Sequence, residues 1–315
     1  MTAQTTDTIM MVRPVHFRYN EQTAENNYFQ AEEVKFSEDQ IQEKARKEFD
    51  DFVSTLEAHG INVIVVEDSE QSDTPDSIFP NNWVSFHDDG RVGLYPMYAY
   101  NRRVERRRDI LDALIQTYGY HISSVIDFSI HEIESKFLEG TGSMILDRQH
   151  KIAYAALSMR THPDVLNEFC DQFRYTPVIF HANQTVEGLR LPIYHTNVMM
   201  CVGEHFAIIC LDAIDDEQER ITVVNSLEKT GKEIIDITEA QENSFAGNML
   251  QVHSSADKSF LVMSGAAHSS LRQDQIERIE KYCPIVSSPL DTIERLGGGS
   301  ARCMMAEVFL PKIEL

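Results

Sequence analysis

Hydrophobic and polar positions repeat along this chain in one order: an apolar run, a tight polar turn, a second apolar run, an amphipathic helix, and a third apolar run. The strand-turn-strand part is the clearest. Residues 83–86 turn through His87-Asp88-Asp89-Gly90 into 92–95, and 144–146 turn through Asp147-Arg148-Gln149-His150 into 152–157. Residues 198–202 turn through Gly203-Glu204 into 206–211, and 249–252 turn around 254–257 into 260–263. Apolar residues at three and four spacing predict helices over 107–118, 163–173 and 271–282, with short strands at 125–128, 177–180, 233–237 and 284–287. Near the N-terminus, Ser37 and Gln40 form a capping-box pattern. The helix behind it carries a face of Ile41, Ala45, Phe49, Phe52 and Leu56, and a strand follows at 61–66.

Hairpins starting at Asn82, Ser143, Asn197 and Asn248, and a last strand starting at Cys303, recur about every 50 to 60 residues, the mark of a repeat architecture. The spacing fits stacked or ring-closed α/β repeats, and five such ββαβ units would close the chain on itself as a single domain over 1–315. A strand near Val12 would complete the last unit, which lacks its own helix. Closing the ring brings the loops before all five strands to one axial end, where chemistry is to be sought. The alternative is an ordinary α/β sandwich in which the recurrence is accidental.

At 315 residues the chain can bury a sizeable core. Its formal charge of -22 repels nucleic-acid phosphates and anionic membrane surfaces. No apolar run approaches the roughly 20 residues of a bilayer span, and residues 1–11 lack a signal-peptide pattern, so a cytoplasmic location is expected. The five cysteines contain no C-x-x-C pair, which suggests free thiols and neither a disulfide framework nor a zinc site. Cys170, Cys201, Cys210 and Cys283 sit inside apolar patterns. Cys303 does not.

Cys303 follows Gly297-Gly298-Gly299-Ser300-Ala301-Arg302, a flexible run that can present a thiol at a crowded site; the plainer alternative is a turn before a buried cysteine. Before the second hairpin lies Phe137-Leu138-Glu139-Gly140-Thr141-Gly142-Ser143, a carboxylate among apolar residues and glycines. Before the third lies Leu191-Pro192-Ile193-Tyr194-His195-Thr196-Asn197, in which a histidine leaves an apolar segment. An acid, a histidine and a cysteine at matching places in three repeats make an orienting carboxylate, a proton carrier and a nucleophile.

These stretches, with Gly-Gly-Gly-Ser-Ala-Arg-Cys-Met at 297–304 foremost, resemble the guanidine-modifying superfamily of arginine deiminases, dimethylarginine hydrolases and amidinotransferases. The resemblance covers nearly the whole chain and implies the pentein fold, a five-bladed α/β propeller. Pro14-Val15-His16-Phe17, Asn20 and Asn27-Tyr28-Phe29-Gln30 further resemble a bacterial branch described as citrulline-utilisation hydrolases. Carried over, Cys303 matches the nucleophile, His195 the general acid/base and Glu139 the carboxylate holding the reacting group. Ser158-Met159-Arg160-Thr161 matches a stretch whose arginine, here Arg160, grips the substrate carboxylate. Arg106 or Arg107 would be a second clamp, or else part of a solvated helix face.

Two positions depart from the family. The loop Asp76-Ser77-Ile78-Phe79-Pro80-Asn81-Asn82 normally ends in an aspartate facing the guanidinium, and Asn82 stands there; Asn197 replaces a second aspartate. Amides both donate and accept, which suits a neutral ureido group and tilts the expected substrate toward citrulline. Asp76 and both asparagines then count as substrate-binding residues. Arginine or an acylated arginine remains the alternative substrate, and an amidinotransferase the alternative reaction. The fold also hosts a ribosome anti-association factor, a binding protein without this catalytic set. A small-molecule substrate, no metal or organic cofactor, a possible homo-oligomer and a mobile segment at 69–75 complete the expectations.

Overall fold

The computed structural model describes residues 3–31 and 36–313. Five separate three-stranded sheets organise the chain, each with a middle strand antiparallel to its first strand and parallel to its third. The first four units are Val84–Phe86, Arg91–Leu94 and Ser124–Asp127; Ile145–Asp147, Ile152–Ala156 and Thr176–Phe180; Met200–Val202, Phe206–Ile209 and Glu233–Asp236; and Leu250–His253, Ser259–Ser264 and Ile285–Ser288. The fifth joins both ends of the chain. Ala306–Glu307 pairs with Thr8–Arg13 in the register Ile9↔Glu307, and Thr8–Arg13 runs parallel to Asn62–Glu67. The expectation that an N-terminal strand completes the last unit therefore holds.

Parallel pairing needs a crossover, and helices supply it: Arg108–Gln116, Pro163–Phe173, Glu217–Lys229, Gln273–Glu280 and Glu38–Ala58. The last is capped as the sequence indicates, with Ser37 and Gln40 exchanging both capping bonds, and its apolar face is buried. That face shares an apolar cluster with Ile293 and Leu296 of the short helix Asp291–Gly297 and with Cys303 and Met304. The nucleophile candidate thus rests on a packed floor.

Boundaries shift where the chain turns. The helix expected over 107–118 is Arg108–Gln116, with Arg107 at its N-cap, and that expected over 271–282 shortens to Gln273–Glu280 because Leu271 is extended, at φ -69 and ψ 141. First strands begin later than expected because the entering loops bond back on themselves. Pro80–Asn82, Gly140–Ser143 and Thr196–Val198 each coil into a single helical turn, and Cys303 donates its N–H to the Ser300 carbonyl at 3.0 Å instead of joining a ladder. Segment 69–75 is tied by an Arg18–Asp73 ion pair of 2.7 Å and a Thr74–Asp68 hydrogen bond of 2.9 Å. The helices Glu217–Lys229, Glu239–Glu242 and Asp291–Gly297 go beyond the sequence-based expectations, as does the hairpin Asn183–Val186 and Leu189–Pro192. Glu187 and Gly188 turn it at φ 50 and φ 82, and its largely exposed faces leave little hydrophobic alternation to read. Among the described residues no helix is long and apolar enough to cross a membrane.

Glu242, at the end of the short helix Glu239–Glu242, is buried and neither carboxylate oxygen has a hydrogen-bond partner. Burial pushes its carboxyl up to about 7, the Cys210 thiol opposing the rise. The folded protein therefore holds a proton that the unfolded chain releases above its ordinary value of 4.5, so stability falls as pH rises through that window and stays low above it. Urea unfolding at pH 5 and pH 8 should show this loss, of order 3 kcal/mol at most for this group. Glu242→Gln should reduce the difference, leaving the share of Glu105 and Glu294, which burial also pushes up to about 7; an unchanged slope would contradict the assignment.

Candidate active site

The helical turns before the strands carry the predicted side chains to a common point. His195 caps the turn Thr196–Val198, Glu139 caps Gly140–Ser143, Asn82 ends Pro80–Asn82, and Cys303 lies in the turn before Ala306–Glu307. All four are buried. Asp76, Asn82, Arg160, His195 and Cys303 line one small cavity with Phe79, Arg102, Tyr194 and Gly297 to Gly299. Its volume is about 10 Å³, room for roughly one water molecule.

Glu139 sits behind His195 rather than in the cavity wall. Its Oε2 accepts from His195 Nε2 at 2.7 Å and from Arg160 Nη1 at 3.4 Å, while Oε1 accepts from the Tyr98 backbone N–H at 2.8 Å. Burial opposes the charge on Glu139, but Arg160, His195 and Arg102 outweigh it and hold the carboxyl well below its usual range. Burial also pushes His195 down, to about 4, despite the carboxylate. The imidazole is therefore neutral near pH 7. With Nε2–H donated to Glu139, Nδ1 is left as its acceptor. At His195 burial thus outweighs the neighbouring Glu139 carboxylate.

Gly142 makes this packing possible. A Cβ at this position would lie 2.4 Å from Asn82 Nδ2 and 2.9 Å from His195 Nδ1 and Cε1. The glycines before Cys303 are packed rather than flexible: Gly298, at φ +63, would place a Cβ 2.5 Å from Asn27 Nδ2, and its carbonyl accepts from Asn27 at 3.2 Å and from the Tyr194 hydroxyl. Close approach is their use, as expected, but the approaching groups belong to the protein itself.

Asparagine side chains surround the sulfur. Asn197 Nδ2 donates to Cys303 Sγ at 3.3 Å and Asn248 Nδ2 at 3.2 Å. Asn197 thus contacts the thiol directly. Asn82 accepts from Arg102 Nη1 at 2.9 Å. Asp76 accepts from Asn20 at 2.7 Å and Thr23 at 3.0 Å through Oδ2, leaving its buried Oδ1 without a partner; burial raises its carboxyl and Arg102 opposes the rise.

The structure separates the two arginine clamps proposed from sequence. Arg160 lines the cavity, its guanidinium bound to Asn26 Oδ1 at 2.6 and 2.8 Å and to the Thr23 carbonyl at 2.8 Å. Arg107 lies outside it, partly exposed, bonded to Asp109 and the Glu67 carbonyl, and Arg106 is held by Glu132. Helix-end position explains why: the side chain at the N-cap turns outward to its own first turn. The second buried guanidinium is Arg102, forked onto Glu105 at 2.9 Å. Its signal was the spacing of Arg102 and Glu105, which a run of five arginines within 102–108 obscured. Segment 20–30 covers the cavity through these contacts with Asp76, Arg160 and Gly298, and through Gln30, which donates to the Leu296 and Gly297 carbonyls at 3.1 Å. Among the described residues no group of His, Cys, Asp and Glu is arranged to hold a metal ion.

Comparison with known proteins follows the same lines. The family model described as N,N dimethylarginine dimethylhydrolase, eukaryotic, matches residues 13–310. Among solved structures, ArgZ, an arginine dihydrolase from the ornithine-ammonia cycle in Cyanobacteria, superposes with a TM-score of 0.73 at 18% identity; the match covers 97% of this chain but 41% of ArgZ. A substrate-bound mutant of the isolated ArgZ N-terminal domain gives 0.70 at 18% identity, covering 96% of this chain and 97% of the domain. A dimethylarginine dimethylaminohydrolase mutant carrying an adduct with S-methyl-L-thiocitrulline gives 0.62 at 13% identity, covering 98% and 100%. No curated protein matches. These chains share a mixed α/β fold with the present one. The chain belongs to the family described as N,N dimethylarginine dimethylhydrolase, eukaryotic, within the guanidino-modifying superfamily, whose members named above hydrolyse C–N bonds of guanidino compounds.

Proposed function

We propose that this enzyme hydrolyses the ureido C–N bond of citrulline, releasing ornithine, through a carbamoyl group carried on Cys303. One observation carries this preference: the cavity wall holds two guanidinium groups, Arg102 and Arg160, beside a single carboxylate, Asp76, while the carboxylates paired with those guanidiniums, Glu105 and Glu139, stand behind the wall. Asn82, where the family pattern has an aspartate, is bonded to one of those guanidiniums. A further cation is poorly served beside them, whereas a neutral ureido group meets donors, and a substrate carboxylate meets a fork such as Arg160. The five units are read as blades of a closed propeller, which accounts for four separate loops and the C-terminal turn converging on one cavity.

In this scheme the Cys303 thiol loses its proton to His195 Nδ1, and the sulfur adds to the ureido carbon. His195 returns the proton to the departing δ-nitrogen, so ornithine leaves and S-carbamoyl-cysteine remains. His195 then takes a proton from water, hydroxide adds to the carbamoyl carbon, and the C–S bond breaks to free carbamate, which decomposes to ammonia and carbon dioxide. Glu139 orients the imidazole from behind, and Asp76 Oδ1 is free to accept a ureido N–H. The cavity, at about 10 Å³, is too small for any of these substrates, so segment 20–30 withdraws from Asp76 and Arg160 during entry, and the substrate carboxylate replaces Asn26 on Arg160.

A second reading, sequential hydrolysis of arginine to citrulline and then ornithine, is favoured by the likeness to ArgZ, described as an arginine dihydrolase. Steady-state assays with citrulline and with arginine separate the two. The proposal expects citrulline turnover with little or no arginine consumption; arginine as the better substrate would overturn the preference. Asn82→Asp keeps the acceptor for Arg102 and adds a negative charge, so it should move kcat/KM toward arginine by about tenfold or more. Added amine acceptors would expose any group transfer in place of hydrolysis.

A further inference from the structure

We propose that Asn248 is a catalytic residue: together with Asn197 it forms an anion-binding pair for the Cys303 sulfur itself. The proposal rests on Cys303 being the nucleophile. The wiring of Asn248 decides which end of its amide faces the sulfur. Its Oδ1 accepts the backbone N–H of Arg302 at 3.0 Å, so the nitrogen end is the one turned inward. That nitrogen gives one hydrogen to the Asn197 carbonyl at 2.9 Å and the other to Sγ at 3.2 Å. Asn197 Nδ2 supplies the second donor at 3.3 Å. Every atom involved is buried.

Two N–H donors aimed at one sulfur hold its anion better than its thiol, because hydrogen bonds to an ionised acceptor are about twice as strong as those between neutral groups. Sulfur bears that charge twice in the cycle, when the thiolate attacks and when water expels it from the carbamoyl group. The pair thus acts at sulfur as an oxyanion hole acts at oxygen. In the proposed reaction His195 holds the proton whenever the sulfur is anionic, and the two amides are the hydrogen-bond donors that reach the sulfur itself among the described residues.

Asn248→Asp tests this directly. The carboxylate keeps an acceptor for the Arg302 N–H but has no hydrogen for sulfur; Asn248→Ala removes both. Iodoacetamide reacts with thiolate, so its rate of alkylating Cys303 at pH 8, located by peptide mass mapping, reads the anion without any substrate. Both variants should show the rate at least about tenfold lower and kcat lower by about tenfold to a hundredfold, and loss of the bond to the Asn197 carbonyl should lower the thermal midpoint of the Asp variant by several degrees without unfolding it. An unchanged alkylation rate in folded variants would overturn the proposal, whether kcat falls or not, because it would leave Asn248 as a structural tie between two loops. Alkylation of other cysteines but never Cys303 would count instead against Cys303 as nucleophile.

Discussion

Replacing Cys303 by alanine is expected to abolish ornithine release from citrulline, lowering kcat by about 10⁴-fold or more, the scale seen when a covalent nucleophile is removed. The fold should survive. Cys303 contributes one small buried side chain to an apolar cluster whose bulk comes from Ile293, Leu296, Phe49 and their neighbours, so the thermal midpoint should change by only a few degrees. Steady-state assay and thermal melting of the same preparation check both halves. Retained turnover would remove the thiol from the mechanism and leave the cavity without a nucleophile.

Gly142→Ala is expected to be nearly as damaging although it removes no reactive group. The added methyl would lie 2.4 Å from Asn82 Nδ2 and 2.9 Å from the His195 ring, both closer than side-chain carbons approach such atoms. Neither neighbour can yield freely: Asn82 is bonded to Arg102 and His195 to Glu139. Displacing the imidazole by a fraction of an ångström to one ångström costs about a hundredfold in kcat. Gly265→Ala serves as the control, since its Cβ would meet nothing closer than 3.7 Å. Equal activity in the two variants would mean that the imidazole position is immaterial to the rate.

Both predictions concern residues that the chain announces in sequence, and the reason is physical. Repeating units put functional side chains at the same place in each repeat, so Glu139, His195 and Cys303 could be aligned with one another before any coordinates were known. Strand order was equally legible, because hairpins and amphipathic helices alternate with distinct hydrophobic periods. What periodicity could not convey was direction. Glu139 reads as a residue facing the substrate, yet it stands behind His195. Arg107 and Arg102 are indistinguishable as members of a basic cluster; only the fold turns one outward to Asp109 and buries the other against Glu105. Asn248 stands at the start of the fourth hairpin, but its contact with sulfur depends on an amide orientation fixed by the Arg302 backbone, which no side-chain pattern records. Segment 20–30 is likewise hidden, since its role arises from hydrogen bonds to residues far away in the chain, among them Asp76, Arg160 and Gly298.

The central claim is that one sulfur carries the group cut from the substrate. Rapid acid quench during citrulline turnover, followed by intact mass and peptide mapping, reads that intermediate directly. The account expects a mass gain of one carbamoyl group, confined to the peptide bearing Cys303 and lost as turnover ends. An unmodified Cys303 under conditions where turnover is rate-limited by its second step, or an adduct on any other residue, would contradict it.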